Sequence, residues 1–354
     1  VRQTRSRPLA TLFAASTLVA LGATVSTPAD AQERHVLTGE SATIWNLAGE
    51  MLLVAGTGSD VVVEVTRGGS DGSRLSVSAS GGQLKVRYPD DEIVYRGANE
   101  RWRSSTTLRV RDDGTFGGSW DDGGRRVRVR TSGTGLEAHA DLRIQVPKGK
   151  RLEVHLALGE VTIENVDGDL RIDVHSASIR ATGTKGRLVA DAGSGSVRVE
   201  NGQGELDVDT GSGSTTVLGF TGRSIDIDAG SGSIEVRDVT AERVSVDVGS
   251  GSVRAESIGA DDVQIDTGSG GVDLWLTKVP RSTNVDTGSG SVRLELPATA
   301  SADLDIETGS GGISSDFAVR MDQVRRNELR GRIGEGGSRI TVSTGSGGVR
   351  LIKR

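Results

Sequence analysis

An aspartate recurs two residues ahead of a Gly-Ser-Gly unit at Asp191, Asp209, Asp228, Asp247, Asp266 and Asp286. Carboxylates at so regular a spacing can do two kinds of chemistry. A row of them can hold hard cations such as Ca²⁺, which take oxygen ligands. Alternatively, each can accept hydrogen bonds from backbone N–H groups of the Gly-Ser turn and cap it. Capping is the expected role, because the Gly-Gly-x-Gly-x-Asp signature of calcium-binding nonapeptide repeats is absent. The six aspartates stand as a candidate metal row beside that reading, with Ca²⁺ as the one cofactor they would take.

Aromatic residues give a second candidate. Tyr88, Tyr95, Trp102, Phe116 and Trp120 fall within 33 residues, interleaved with Arg96, Arg101 and Arg103. In a polar loop, Tyr95, Trp102, Phe116 and Trp120 could stack on sugars or anchor a protein partner. Packed against one another, they would form a local mini-core. Catalytic signals are thin, and no catalytic residue is assigned. Gly68 to Gly72 fits Gly-x-Ser-x-Gly, but no helix follows it as a nucleophile elbow needs. The four histidines, His35, His139, His155 and His175, lack metal-ligand spacing, and His155 and His175 read as ordinary repeat positions. Phosphate-loop and dinucleotide fingerprints are absent.

These side chains must be positioned by a repeat. The Gly-Ser-Gly unit starts at Gly193, Gly211, Gly230, Gly249, Gly268, Gly288, Gly309 and Gly345, in steps of 18, 19, 19, 19, 20, 21 and 36 residues. Within one unit Val197 and Val199 alternate with Arg198 and Glu200, and Leu206 and Val208 with Asp207 and Asp209. Period two is the mark of half-buried strands. A unit this short cannot close a core alone, so units must stack, each hydrogen-bonded to the next. The expectation is an all-β, parallel, β-helix-like solenoid with two-strand rungs of about 18–19 residues and unspecified handedness. Stacking aligns the six aspartates with Asp173 upstream, Glu307 downstream and His155 at the head of the column.

Composition agrees. Only 34% of the 354 residues are hydrophobic and 3% aromatic, while glycine numbers 51. Such a chain fills a thin core of Val, Ile, Leu, Ala and Thr better than a thick one. The formal net charge of −6 argues against nucleic acid, whose binders are basic. There is no cysteine. Residues 1–31 read as a secretory signal peptide: Arg2, Arg5 and Arg7, an uncharged run from Leu9 to Val25, then Ala29-Asp30-Ala31. No transmembrane anchor is expected after cleavage. The expected domains are residues 32–149, β-rich with a long polar and aromatic loop or ragged hairpin near 89–124, and residues 150–354, the repeat. Within the latter, 316–335 reads as a helical or irregular insertion covering the last rungs.

The stretch Glu40 to Glu50, the step Ile144 to Gly149 and the Asp-Thr-Gly-Ser-Gly-Ser-Val units resemble the DUF4097 family of β-strand-repeat proteins, provisionally labelled adhesins. The resemblance implies an exported bacterial solenoid and supplies no catalytic residues. The function expected is a non-enzymatic scaffold or adhesin-like protein, periplasmic, surface-located or extracellular, with a cell-surface glycan or envelope protein as partner. A cation-dependent binding module and a polysaccharide-active enzyme on a β-helix are the alternatives.

Overall fold

Alternating apolar and polar residues over short Gly-bounded runs produce strands. The computed structural model describes residues 32–97, 104–117, 123–325 and 327–354. Among these residues the regular elements are all strands apart from one 3-10 turn, Gly72–Arg74. Ser41–Gly56 and then the chain from Lys150 onward coil into parallel rungs, each laying one strand on each of two faces. The first face aligns Asp173 with Asp191, Asp191 with Asp209, and Asp209 with Asp228. It continues through Asp247 and Asp266 to Asp286. On the second face Ile179, Val197, Thr215, Ile234, Val253, Val272 and Val292 stand in one column. The apolar residues of the alternation point inward, in the unit of residues 197–209 and in the rungs after it. Val197, Val199, Leu206, Val208, Ile225, Ile227, Ile234, Val236, Val253, Ile265 and Val272 are all buried.

The Gly-Ser-Gly corners explain the repeat. A Cβ added at Gly232 (φ +134°) would lie 1.9 Å from the Gly213 carbonyl oxygen, and one at Gly213 would lie 2.0 Å from that of Gly195. Backbone therefore rests directly on backbone there, and only glycine leaves room. The hydrogen-bond ladder runs on through the corner, with Gly213 N–H donating to Ser231 O and Gly232 N–H to Ser250 O. Variation in rung length is absorbed elsewhere. Gly204 faces Gly222 but Glu205 faces Ser224, so Arg223 is an extra residue in a bulge. A further shift falls between Ala255 and Ile258.

Both ends of the stack turn antiparallel. At the start, Val61–Gly68 pairs antiparallel with His139–Pro147 and with Glu33–Leu37. On the other face the hairpin Ser76–Ser80 and Gln83–Arg87 covers the first rung. At the far end, residues 316–335 are not a helical or irregular insertion. Arg320–Arg325 and Glu328–Ile333 form a hairpin lying antiparallel on Ala302–Thr308. Leu329 and Ile333 are buried, while Arg330 pairs with Asp305 and Glu307, and Arg332 with Asp303. Period two was present but dominated by arginine, which hid it.

Two further expectations are refined. In its described part the Pro89–Gly124 stretch, expected as a long loop or a ragged hairpin, contributes one arm of a hairpin. Ser105–Val110 pairs antiparallel with Arg125–Arg130, and Glu92–Val94 lies beside it in a second, four-stranded sheet. Glu307 does not follow Asp286 directly in the column. The last strands, Ser338–Thr344 and Val349–Lys353, are inserted between two earlier rungs, so Ser343 faces Asp286 on one side and Glu307 on the other. Val349–Lys353 likewise lies between Val292–Leu296 and Ile313–Ser315.

Two pairs of substitutions test this architecture. Gly232→Ala should cost more than about 2 kcal/mol, since strain and backbone contact act together, whereas Ser233→Ala, exposed at the same corner, should cost under about 0.5 kcal/mol. Val208→Asp should cost several kcal/mol by burying an unpaired charge, whereas Glu200→Ala, on the outer surface, should cost under about 1 kcal/mol. Urea denaturation of the four variants checks the ranking, and equal effects within either pair would contradict it.

Candidate functional site

The aspartate column forms as expected, one carboxylate per rung, about 4.8 Å from the next. Asp209, Asp228, Asp247, Asp266 and Asp286 are exposed and Asp191 is half-buried. Their expected role as corner caps is not what the structure shows. Among the described residues, no hydrogen bond joins these six side chains to the turn. The later corners are stitched from inside instead: buried Thr267, Thr287 and Thr344 donate from Oγ1 to the carbonyls of Gly251, Gly270 and Gly290 at 3.2, 3.0 and 2.8 Å. Among the described residues no three acidic or imidazole side chains converge on one point as a metal ion needs. Alternation aims every ladder carboxylate outward and side by side.

That row carries an electrostatic cost. The pKa values of Asp191, Asp228 and Asp266 are raised by partial burial first and then by the neighbouring carboxylates. Asp173, at the head of the row, differs. Burial pushes it up, but the hydrogen bond and charge of His155 outweigh this and hold it below the usual range.

His155 is the centre of a buried polar cluster that sequence reasoning treated as an ordinary rung position. Its Nδ1 lies 3.1 Å from Asp173 Oδ2 and its Nε2 3.3 Å from Glu153 Oε1. Trp45 stacks on its ring, with centroids 5.2 Å apart and planes within 4°. Phe116 packs edge-on against His155 and tilted against His175. Trp45 Nε1 donates to the Phe116 carbonyl at 3.2 Å. Burial, with the charge of His155, lowers the His175 pKa against the opposing pull of Asp173.

The aromatic candidates divide. Tyr95 and Phe116 are buried, at 7% and 3% exposure, so neither presents a ring to an outside ligand. They belong to the continuous hydrophobic core, Tyr95 tilted against His139, as does Tyr88, whose hydroxyl lies 2.8 Å from Asn46 Oδ1 and 2.9 Å from the Ala48 carbonyl oxygen. Trp102 and Trp120 lie outside the described residues.

A surface groove of about 350 Å³ was not anticipated. It lies on the second face and is lined by Arg254, Glu256, Asp273, Trp275, Arg293, Glu295 and Arg354. In Val272–Leu276, Val272, Leu274 and Leu276 enter the core, so Asp273 and Trp275 point outward. Arg254 and Arg293 flank Asp273 on the adjacent rungs, and Glu295 stands beside Trp275. Arg354 arrives from the inserted strand, with Cζ 3.6 Å from the Trp275 ring centroid and Nη1 3.0 Å from Glu295 Oε2. The available signal was an aromatic at an outward repeat position. The arginine above it left no trace in the periodicity.

Fold and surface together define a two-faced parallel β-solenoid with closed ends and patterned outer faces. The chain belongs to the Toastrack DUF4097 family, whose model matches residues 32–351. Among solved structures it is similar to a protein of Parabacteroides distasonis provisionally described as lipid-binding, at 13% identity and TM-score 0.44, over 91% of this chain and 96% of that one. It is also similar to a provisionally described cell adhesion protein of Clostridium sporogenes, at 10% identity and TM-score 0.20, over 91% of this chain and 100% of that one. A provisionally described adhesin of Bacteroides fragilis matches at 12% identity and TM-score 0.24, over 91% and 96%. A shared ligand does not follow from likenesses this distant. No curated protein matches the chain.

The ladder gives a prediction with a definite sign. A carboxylate whose folded pKa is raised weakens the fold at every pH above that value, and the penalty disappears as pH falls through it toward the unfolded value. Asp228→Asn should therefore stabilise the protein at pH 7 in low salt. The gain should shrink toward pH 4 and with added NaCl. Asp173→Asn should do the reverse, destabilising at pH 7 and becoming neutral only below the depressed Asp173 pKa. Denaturant melts of both variants across pH 3–7 check the opposite signs.

Proposed function

We propose that the protein is an exported, non-enzymatic binding scaffold of the bacterial cell envelope, adhesin-like in that it holds a partner along an extended rigid face. The observation that carries this is the pair of outer faces, where in-register columns repeat the same side-chain positions rung after rung. Such a surface suits repetitive partners, since many weak contacts at a fixed spacing sum without requiring a deep pocket. A surface glycan or an envelope protein has that character. Two further features support the reading. The rung corners are short Gly-Ser turns, so binding falls to the flat faces rather than to long loops. Residues 1–31 have the charge, apolar run and small-residue site of a secretory signal. Among the described residues no helix is long and apolar enough to cross a membrane.

Two measurements test the proposal. N-terminal sequencing of exported protein should read Gln-Glu-Arg-His from Gln32, after unblocking if the glutamine has cyclised. Purified exported protein should co-sediment with isolated cell envelopes. Retention of residues 1–31 in a membrane fraction, or protein left wholly in the supernatant, would count against it.

A further inference from the structure

The groove at Trp275 has the chemistry of a specific subsite. Trp275 is the one aromatic at an outward position of the second face among the described residues. Around it stand three guanidinium groups and three carboxylates. The carboxylates are held by arginines on the same face. Arg293 Nε lies 2.9 Å from Glu295, Arg354 Nη1 lies 3.0 Å from the same carboxylate, and Arg237 Nε lies 3.1 Å from Glu256. Arg254 lies 3.7 Å from Asp273 and 3.8 Å from Glu256. The groove is therefore already neutral. An anion would have to displace a carboxylate from its arginine, and a cation an arginine from its carboxylate. An acyl chain would bury charged walls without partners. A neutral polyhydroxyl ligand leaves every carboxylate with an arginine, because hydroxyls donate to carboxylate oxygens and accept from guanidinium N–H groups, and Arg293 stays on Glu295 when Arg354 moves away. The indole supplies the apolar plane on which the C–H face of a sugar ring packs.

One ring face of Trp275 is covered by the Arg354 guanidinium. That side chain is 53% exposed, and its backbone is pinned by Arg354 N–H donating to Leu296 O and Ala298 N–H donating to Arg354 O. The side chain can thus swing while the main chain stays in place. We propose that the groove is a subsite for a neutral pyranose unit of an envelope glycan, which stacks on Trp275 and takes the place of the Arg354 guanidinium. This rests on the scaffold reading above and names the chemistry and place of its contact.

The test uses purified exported protein on an array of neutral and acidic oligosaccharides, followed by titration of the strongest neutral hit with indole fluorescence as readout. At least one neutral oligosaccharide should bind, with affinity changing less than about twofold between low and physiological salt. Trp275→Ala should weaken it by at least about tenfold, as expected when a stacked aromatic anchor is removed. Trp275→Phe should retain part of the affinity, and Arg354→Ala should bind as well as the parent or better. Thermal melts of each variant establish that the fold is intact, as the half-exposed position of Trp275 leads us to expect. An array with no neutral hit, a selective response to acidic sugars, or binding unchanged by Trp275→Ala would overturn the subsite. Co-sedimentation of Trp275→Ala with envelopes separates the two proposals, since binding there without a neutral-sugar response removes the groove and leaves the scaffold.

Discussion

The contact on which the fold depends is backbone against backbone at the Gly-Ser-Gly corner. Where a glycine of one rung sits on the carbonyl of the rung before, no side chain fits, and the strands leave the corner already in register. This locks the phase of both faces at once. It also explains why the spacing can drift without harm. An added residue such as Arg223 is pushed into a bulge on the far side of the rung, and the glycine column stays intact. The same column passes through the inserted terminal rung, where Cβ atoms at Gly347 and Gly311 would lie 1.8 and 1.9 Å from the carbonyls of Gly290 and Gly347.

A core held this way is narrow, and its composition follows. Val, Ile, Leu, Ala and Thr fill it, with Phe220 the exceptional large residue in the rungs. Phe220 is admitted because Gly202 on the preceding rung has no side chain, and a Cβ there would meet the Phe220 ring at 2.9 Å. Threonine is useful inside because its methyl packs while its hydroxyl reaches a corner carbonyl. The outer faces are then free to vary. One accumulates aspartates whose mutual repulsion the corner contacts tolerate, and the other interleaves arginine with glutamate and aspartate.

Closure of the two ends shows how a parallel stack avoids leaving long bare edges. Antiparallel strands are laid on both ends, and at the far end arginines of the capping hairpin meet the carboxylates of the last rung. Insertion of the final strands one rung inside that end couples the terminus to the second face. It places Arg354 over Trp275, which lies more than 70 residues earlier in the chain but two rungs away in space.

Periodicity alone was enough to show the all-β stack, its two faces, the inward residues and the aspartate column, because stacking turns a linear repeat into a spatial one. Val208 and Asp209 had to fall on opposite sides of the sheet once their strand was recognised. The sequence could not show what depends on contacts between non-repeating segments. The corner role was assigned to Asp because turn chemistry favours it, but at the later corners the buried threonine next in sequence, such as Thr267 after Asp266, reaches the carbonyl and the outward carboxylate does not. For Tyr95 and Phe116 the sequence left exposed stacking and a buried mini-core both open, and contacts with His139, His155 and His175 decide for burial. The order of the last rungs, the His155 cluster with Trp45, and the meeting of Arg354 with Trp275 were decided only by tertiary structure, since each joins residues that no period relates.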